Sequence, residues 1–216
     1  MTKIKFCGLT RPFDAAFASA LGASYVGVIF AASPRQLSPD EGRVVLDFAG
    51  VSVQRVGVFG PASLEEVTAI ARIANLDVVQ LHGTHDAAFV EKLRKTFGGK
   101  VWSVVGVTES GHTTSGLSEP SRYADAIVLD TVTTKKAGGT GRVFDWDRVA
   151  GAVQEAATRV PVVIAGGLNP ENVGVAISTL HPSIVDVSSG VESSPGIKDH
   201  NLMQAFAEAV HSASIV

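Results

Sequence analysis

The chain has 216 residues, 45% of them hydrophobic, with 22 glycines and a formal charge of −3, a globular composition with material for one large core. The near-balanced charge supplies no basic stripe for nucleic acid, no apolar run approaches the ~20 residues of a membrane helix, and Met1-Thr2-Lys3-Ile4-Lys5-Phe6 lacks the regions of a secretory signal. A single cysteine leaves no intramolecular disulfide or cysteine-rich zinc site, so the expectation is a cytoplasmic protein with a small-molecule partner and neither nucleic acid nor membrane.

In chain order, strand patterns fall near 3–7, 25–30, 53–59, 78–82, 101–107, 126–130, 162–166 and 184–188. Amphipathic helical patterns lie between them, near 13–21, 39–49, 63–74, 86–96, 117–123, 145–158, 170–179 and 198–211. Strict alternation predicts a parallel sheet, closed as a (β/α)8 barrel or open and doubly wound. The eight-fold repeat favours the barrel, and the first unit lacks a G-x-G-x-x-G dinucleotide turn. The expected architecture is therefore one (β/α)8 TIM barrel over 1–216, with its active site where the strands end.

That rim begins with Cys7, in Lys3-Ile4-Lys5-Phe6-Cys7-Gly8-Leu9-Thr10. A cysteine in an apolar strand is usually a small core residue. Alternation, however, sets Lys5 and Cys7 on the face opposite Ile4 and Phe6, so the thiol keeps polar company and is a candidate nucleophile or base. Next come Arg35 in the second loop and Gln80 with His82 at the end of the fourth strand, His82 expected to line the site. Asp130 ends the apolar run Ala126-Ile127-Val128-Leu129. A carboxylate there either braces the next loop or does chemistry. Asp186, inside Ile184-Val185-Asp186-Val187-Ser188, is too deep for a solvated charge and by parity faces Lys5 inside the barrel.

Late in the chain, Ala165-Gly166-Gly167-Leu168-Asn169-Pro170 joins a strand to a helix, with Asn169 read as N-cap and Pro170 as first helical residue. Glycines let backbone amides approach an anion closely. After the eighth strand, Ser188, Ser189 and Gly190 offer further N–H and hydroxyl groups, and loops seven and eight are where phosphate-binding barrels place that site. A monophosphate ligand is expected on Gly166, Gly167, Ser188, Ser189 and Gly190.

Together these residues resemble the phosphoribosylanthranilate isomerase family. The ordered hallmarks are Lys5-Phe6-Cys7-Gly8-Leu9-Thr10, Ser33-Pro34-Arg35, Gln80-Leu81-His82-Gly83, Leu129-Asp130, Gly138-Gly139-Thr140-Gly141 with Phe144-Asp145-Trp146, Ala165 to Asn172, and Asp186 to Glu192. One departure is Gln36-Leu37, where the family often carries an aromatic. The resemblance implies an Amadori rearrangement of N-(5-phosphoribosyl)anthranilate in tryptophan biosynthesis, needing one acid, one base and no cofactor or metal. It implies Cys7 as general base, Asp130 as general acid, and Arg35, His82 and Asp186 as substrate-binding. A cationic neighbour or backbone donors would favour the thiolate, while partial desolvation and a nearby anion would keep Asp130 protonated. The loop over 135–141 has the composition of a lid. The related histidine-pathway isomerase, a dual-substrate isomerase and a non-catalytic phosphate-binding barrel stay open as alternatives, as do monomer and homodimer.

Overall fold

The computed structural model describes residues 1–83, 85–132 and 144–213. Eight parallel strands, β1 (Lys3–Phe6), β2 (Tyr25–Ile29), β3 (Gln54–Phe59), β4 (Val78–Leu81), β5 (Lys100–Val107), β6 (Ala126–Thr131), β7 (Val162–Ile164) and β8 (Ile184–Val187), close into a barrel in sequence order, with β8 returning to β1. The helices are α1 (Pro12–Ala20), α2 (Pro39–Asp47), α3 (Leu64–Ile73), α4 (Ala87–Phe97), α5 (Trp146–Ala157), α6 (Val173–Leu180) and α7 (His200–Ala213). The fold is the (β/α)8 barrel. Several helices begin where the sequence dictates: Ser38 and Ser63 form capping boxes with Glu41 and Glu66, and the side chains of Asp86 and Asp145 accept the first-turn amides of α4 and α5.

Strand alternation divides the core in two. Outward residues such as Ile4 and Phe6 join the layer beneath the helices, where Phe6 meets Phe206 edge-on at 6.0 Å. Inward residues Tyr25, Val56, Val78, Trp102, Val128, Val163 and Ile184 fill the barrel itself. Tyr25 and Trp102 meet at 5.0 Å in this layer. Three buried inward side chains, Lys5, Gln80 and Asp186, are polar. An apolar plug with a polar layer toward one end gives the barrel one chemically equipped mouth.

Three elements differ from expectation. The segment at 117–123 forms only a 3₁₀ turn at Pro120–Arg122, because Pro120 has no N–H and the Ser121 hydroxyl donates to the Leu117 carbonyl at 2.6 Å instead of facing solvent. Helix α6 starts at Val173 rather than Pro170. Asn169 still satisfies chain-start amides, its Oδ1 accepting from Glu171 and Asn172 at 2.9 and 3.0 Å, but these close a turn ahead of the helix. Finally, an antiparallel hairpin, β9 (Glu192–Ser194) with β10 (Ile197–Lys198), precedes α7. Polar residues and a two-residue strand leave little hydrophobic period to read.

Candidate active site

The floor of the mouth is an ion pair. Lys5 and Asp186 lie opposite each other in the β1–β8 register, and Lys5 Nζ donates to Asp186 Oδ2 at 2.6 Å, with the Lys5 side chain fully enclosed. Burial opposes the Lys5 charge, but Asp186 and the Cys7 side chain more than offset it and hold the ammonium protonated. Burial pushes the Asp186 carboxyl up against the pull of Lys5, and Oδ1 has no hydrogen-bond partner among the described residues. The Asp186 expected from parity is thus joined to Lys5.

Cys7 follows β1 directly, its N–H donating to the Val187 carbonyl at 2.9 Å. Burial pushes the thiol up, Lys5 and Lys198 draw it down, and Asp186 adds to the rise. The expected cationic neighbour is present, yet the resting thiol is held up rather than lowered because enclosure outweighs the cations. Gly8, at φ +66°, completes the turn. A Cβ on Gly8 would fall 2.6 Å from Arg35 Cδ and 2.8 Å from Ser188 Oγ, so only glycine lets the second and eighth loops close around the Cys7 turn.

Arg35 is half-buried here. Its Nε and Nη2 donate to the two oxygens of Glu192 at 2.8 and 2.6 Å, and Lys198 Nζ donates to Glu192 at 2.8 Å and to the Ser188 carbonyl at 3.0 Å. Burial works against the Glu192 charge, but Arg35 and Lys198 hold its carboxyl below the usual range. Burial draws Lys198 down despite Glu192. A guanidinium carries five N–H groups, so the Nη1/Nη2 edge remains for a second carboxylate.

On the far side of the mouth, His82 follows β4 and brings Nε2 to 3.5 Å from Asp130 Oδ2. The hydrogen bond to Asp130 raises the imidazole above its ordinary value, against burial. Asp130 also touches the seventh loop: a Cβ on Gly166 would lie 2.8 Å from Asp130 Oδ1 and would overlap the Thr131 amide. Gly166 and Gly167 both have positive φ, at +78° and +74°. Their N–H groups have no acceptor among the described residues. Gly190 packs against the Leu168 carbonyl so closely that a side chain would overlap it, which joins loops seven and eight, and the buried Ser188 hydroxyl has no partner among the described residues. These unused donors suit an anion with several oxygens.

Cys7, Arg35, His82, Asp130 and Asp186 therefore border one mouth, with Gly166, Gly167, Ser188, Ser189 and Gly190 in its adjoining loops, while Gln80 lies deeper with Oε1 unpartnered among the described residues. The Gly138-Gly139-Thr140-Gly141 hallmark and the lid expected over 135–141 lie outside the described residues. Sequence reasoning missed Lys198 altogether and took Glu192 as a loop residue. The only signal was two isolated charges six positions apart flanking Gly196, which becomes meaningful once the hairpin folds one toward the other.

The family model described as N-(5'phosphoribosyl)anthranilate (PRA) isomerase matches residues 4–209. The N-(5'-phosphoribosyl)anthranilate isomerase of Thermoanaerobacter sp. (strain X514) is 36% identical over 211 residues, covering 97% of this chain and 98% of the relative. The crystal structure of phosphoribosyl anthranilate isomerase from Thermotoga maritima is similar with a TM-score of 0.86 at 35% identity, covering 98% of this chain and 100% of the other. A phosphoribosyl anthranilate isomerase solved in complex with reduced 1-(o-carboxyphenylamino)-1-deoxyribulose 5-phosphate has a TM-score of 0.81 at 33% identity, with 98% and 100% covered.

Proposed function

This chain belongs to the N-(5'-phosphoribosyl)anthranilate isomerase family of tryptophan biosynthesis, and we propose that Cys7 and Asp130 divide its acid–base work across the barrel mouth. Asp130, with His82 Nε2 3.5 Å away, protonates the ribose ring oxygen and opens the furanose to a protonated Schiff base. The Cys7 thiolate then takes the C2′ proton. An S–H bond forms, the C2′–H electrons become the C1′–C2′ double bond, and the iminium electrons settle on the anthranilate nitrogen. The resulting enolamine gains a proton at C1′ and loses one from its C2′ hydroxyl, giving the ketone.

Arg35 receives the anthranilate carboxylate on its Nη1/Nη2 edge. The phosphate sits on Gly166, Gly167, Ser188, Ser189 and Gly190. Asp186 Oδ1, unpartnered among the described residues, is the acceptor for a ribose hydroxyl. The relative solved with a reduced carboxyphenylamino-deoxyribulose phosphate supports this ligand chemistry, since such a molecule carries a carboxylate, hydroxyls and a phosphate along one axis.

The observation that carries the reading is the opposed pair at the mouth: a thiol beside Lys5 on one side and a carboxylate beside His82 on the other. The test is steady-state turnover of freshly generated phosphoribosylanthranilate by the wild type, Cys7→Ala and Asp130→Asn. Removing a general acid or base costs about 10²- to 10⁴-fold in kcat. A folded variant that kept near-wild-type kcat would remove that residue from the scheme.

A further inference from the structure

The thiol that this reaction needs as a base begins at a disadvantage, because burial favours its neutral form. Among the described residues, charged groups act on it from four sides: Lys5 from its own strand, Asp186 from β8, Lys198 from β10 and Arg35 from the loop after β2. The cations are not equivalent. Arg35 and Lys198 both spend their charge on Glu192, through bonds of 2.6 to 2.8 Å. Among the described carboxylates Lys5 is held by Asp186 Oδ2 alone, and it also interacts by hydrogen bond and charge with the Cys7 side chain.

Strand β2 contributes the space that allows this. Gly27 faces the same interior, and a Cβ there would lie 3.0 Å from Cys7 Sγ, 3.3 Å from Lys5 Cε and 3.4 Å from Lys5 Nζ. Sγ and the ammonium thus border one point above a bare backbone, and a side chain at Gly27 would crowd both. Between charges this close in a low-dielectric interior, an ammonium is the strongest available counterweight to burial.

We propose that Lys5 is a positioning residue for the isomerisation: clamped by Asp186 beneath the mouth, its ammonium holds positive charge against Cys7 Sγ and stabilises the thiolate that removes the C2′ proton. Asp186 supplies the geometry, since an unpaired lysine in this enclosure would lose its proton and its effect. Of these two charges, Lys5 exerts the larger pull on Cys7 and Asp186 the smaller push. This inference rests on the reading of Cys7 as the base.

Cys7 is the chain's only cysteine, so cysteine labelled with ¹³C at Cβ gives one resonance whose pH titration reads the thiol directly, without substrate. Lys5→Met should move that titration upward by about one pH unit or more. In the same proteins kcat/KM near neutrality should fall about tenfold for each unit of upward shift in the thiol, with the alkaline limb of the rate profile moving by the same amount. Should Lys5→Met fail to fold with an uncompensated Asp186, the double variant Lys5→Met with Asp186→Asn replaces the buried ion pair by a neutral one, and its thiol should still titrate above the wild type. An unmoved thiol in a folded variant overturns the role of Lys5. A thiol that moves while the rate profile does not overturns Cys7 as the base, and with it the part of Lys5 in the reaction.

Discussion

Glu192 grips Arg35 through both carboxylate oxygens, at 2.8 Å to Nε and 2.6 Å to Nη2, and so fixes the plane of the guanidinium while leaving its Nη1/Nη2 edge outside the clamp. A bidentate clamp of this kind gives orientation as well as charge. Lys198 closes it from behind, bonding the same carboxylate and the Ser188 carbonyl. The residue proposed to recognise the anthranilate carboxylate is therefore tied to the eighth loop, which also holds part of the proposed phosphate site.

Arg35→Ala should raise KM by about 10- to 100-fold with a much smaller effect on kcat, since it removes charge-assisted bonds worth about 1.5–3 kcal/mol that ground and transition states share. Glu192→Gln keeps the shape and loses the charge, so KM should rise severalfold while the guanidinium loses its fixed plane. Steady-state kinetics on phosphoribosylanthranilate checks both. An unchanged KM in Arg35→Ala removes it from the site.

The His82–Asp130 contact carries a signed pH dependence. The imidazole titrates above its ordinary value because of its hydrogen bond to Asp130, so its contribution to stability is fully present below the unfolded value of about 6.5 and is lost as pH rises through the folded value. His82 is about half-exposed, at 49%, and solvent screening keeps the effect below about 1 kcal/mol. Denaturant melts between pH 5 and pH 9 should show this small decline in the wild type and not in His82→Gln. The same variant should show an altered acidic limb in kcat/KM, because it removes the imidazole that lies 3.5 Å from the proposed acid. Identical pH profiles would separate His82 from the acid.

Gly166 is fixed by three constraints at once: φ of +78°, contact with the Thr131 amide, and Asp130 Oδ1 at 2.8 Å from where a Cβ would sit. Gly166→Ala adds backbone strain of about 1–3 kcal/mol and pushes the seventh loop off β6. The expected result is a lower melting temperature with loss of both phosphate-ester affinity and kcat, since the methyl displaces the loop and the acid together. Calorimetric titration with inorganic phosphate, beside a thermal melt, checks this. A variant with wild-type phosphate affinity would show that loop seven does not hold the phosphate.

What the chain disclosed in advance follows from period and position. Strand alternation placed Lys5, Cys7 and Asp186 on the inner face, because a period of two admits only two choices and Ile4 and Phe6 occupied the other, while Asp130 stood out as a carboxylate ending an apolar strand. The barrel followed from the strict order of strands and helices, and the closed sheet matches it. The segment at 117–123 misled because its apolar spacing resembles a helix while Pro120 and the Ser121 back-bond redirect it into a single tight turn. Glu192 and Lys198 were illegible for a different reason. Their meaning depends on a two-strand hairpin and on Arg35, 157 positions from Glu192 in sequence, and no local pattern encodes a contact at that distance. The direction of the Cys7 titration was also hidden, since it depends on how completely the barrel encloses the thiol, not on which residues flank it.

A buried carboxylate holds that hairpin against the barrel. Asp14, in the first turn of α1 and 1% exposed, accepts from Arg11 Nε and Nη2 at 2.8 Å each, from His200 Nε2 at 2.9 Å and from the Lys198 amide at 3.4 Å. Arg11 Nη2 also donates to the Lys198 carbonyl at 2.8 Å, and the His200 ring stacks on Phe17 at 4.1 Å. One buried carboxylate thus joins α1, β10 and the start of α7 directly behind the Lys198 that braces Glu192. Arg11 and His200 are partly exposed and can turn to water when Asp14 is removed, whereas the Lys198 amide cannot, so Asp14→Ala should cost about 1–3 kcal/mol. The hairpin should loosen with it, and through Lys198 and Glu192 the plane of Arg35, so KM should rise severalfold although Asp14 lies outside the mouth. Denaturant unfolding paired with steady-state kinetics separates the two effects. Lost stability with an unchanged KM would show that the strut supports the fold without transmitting to Arg35.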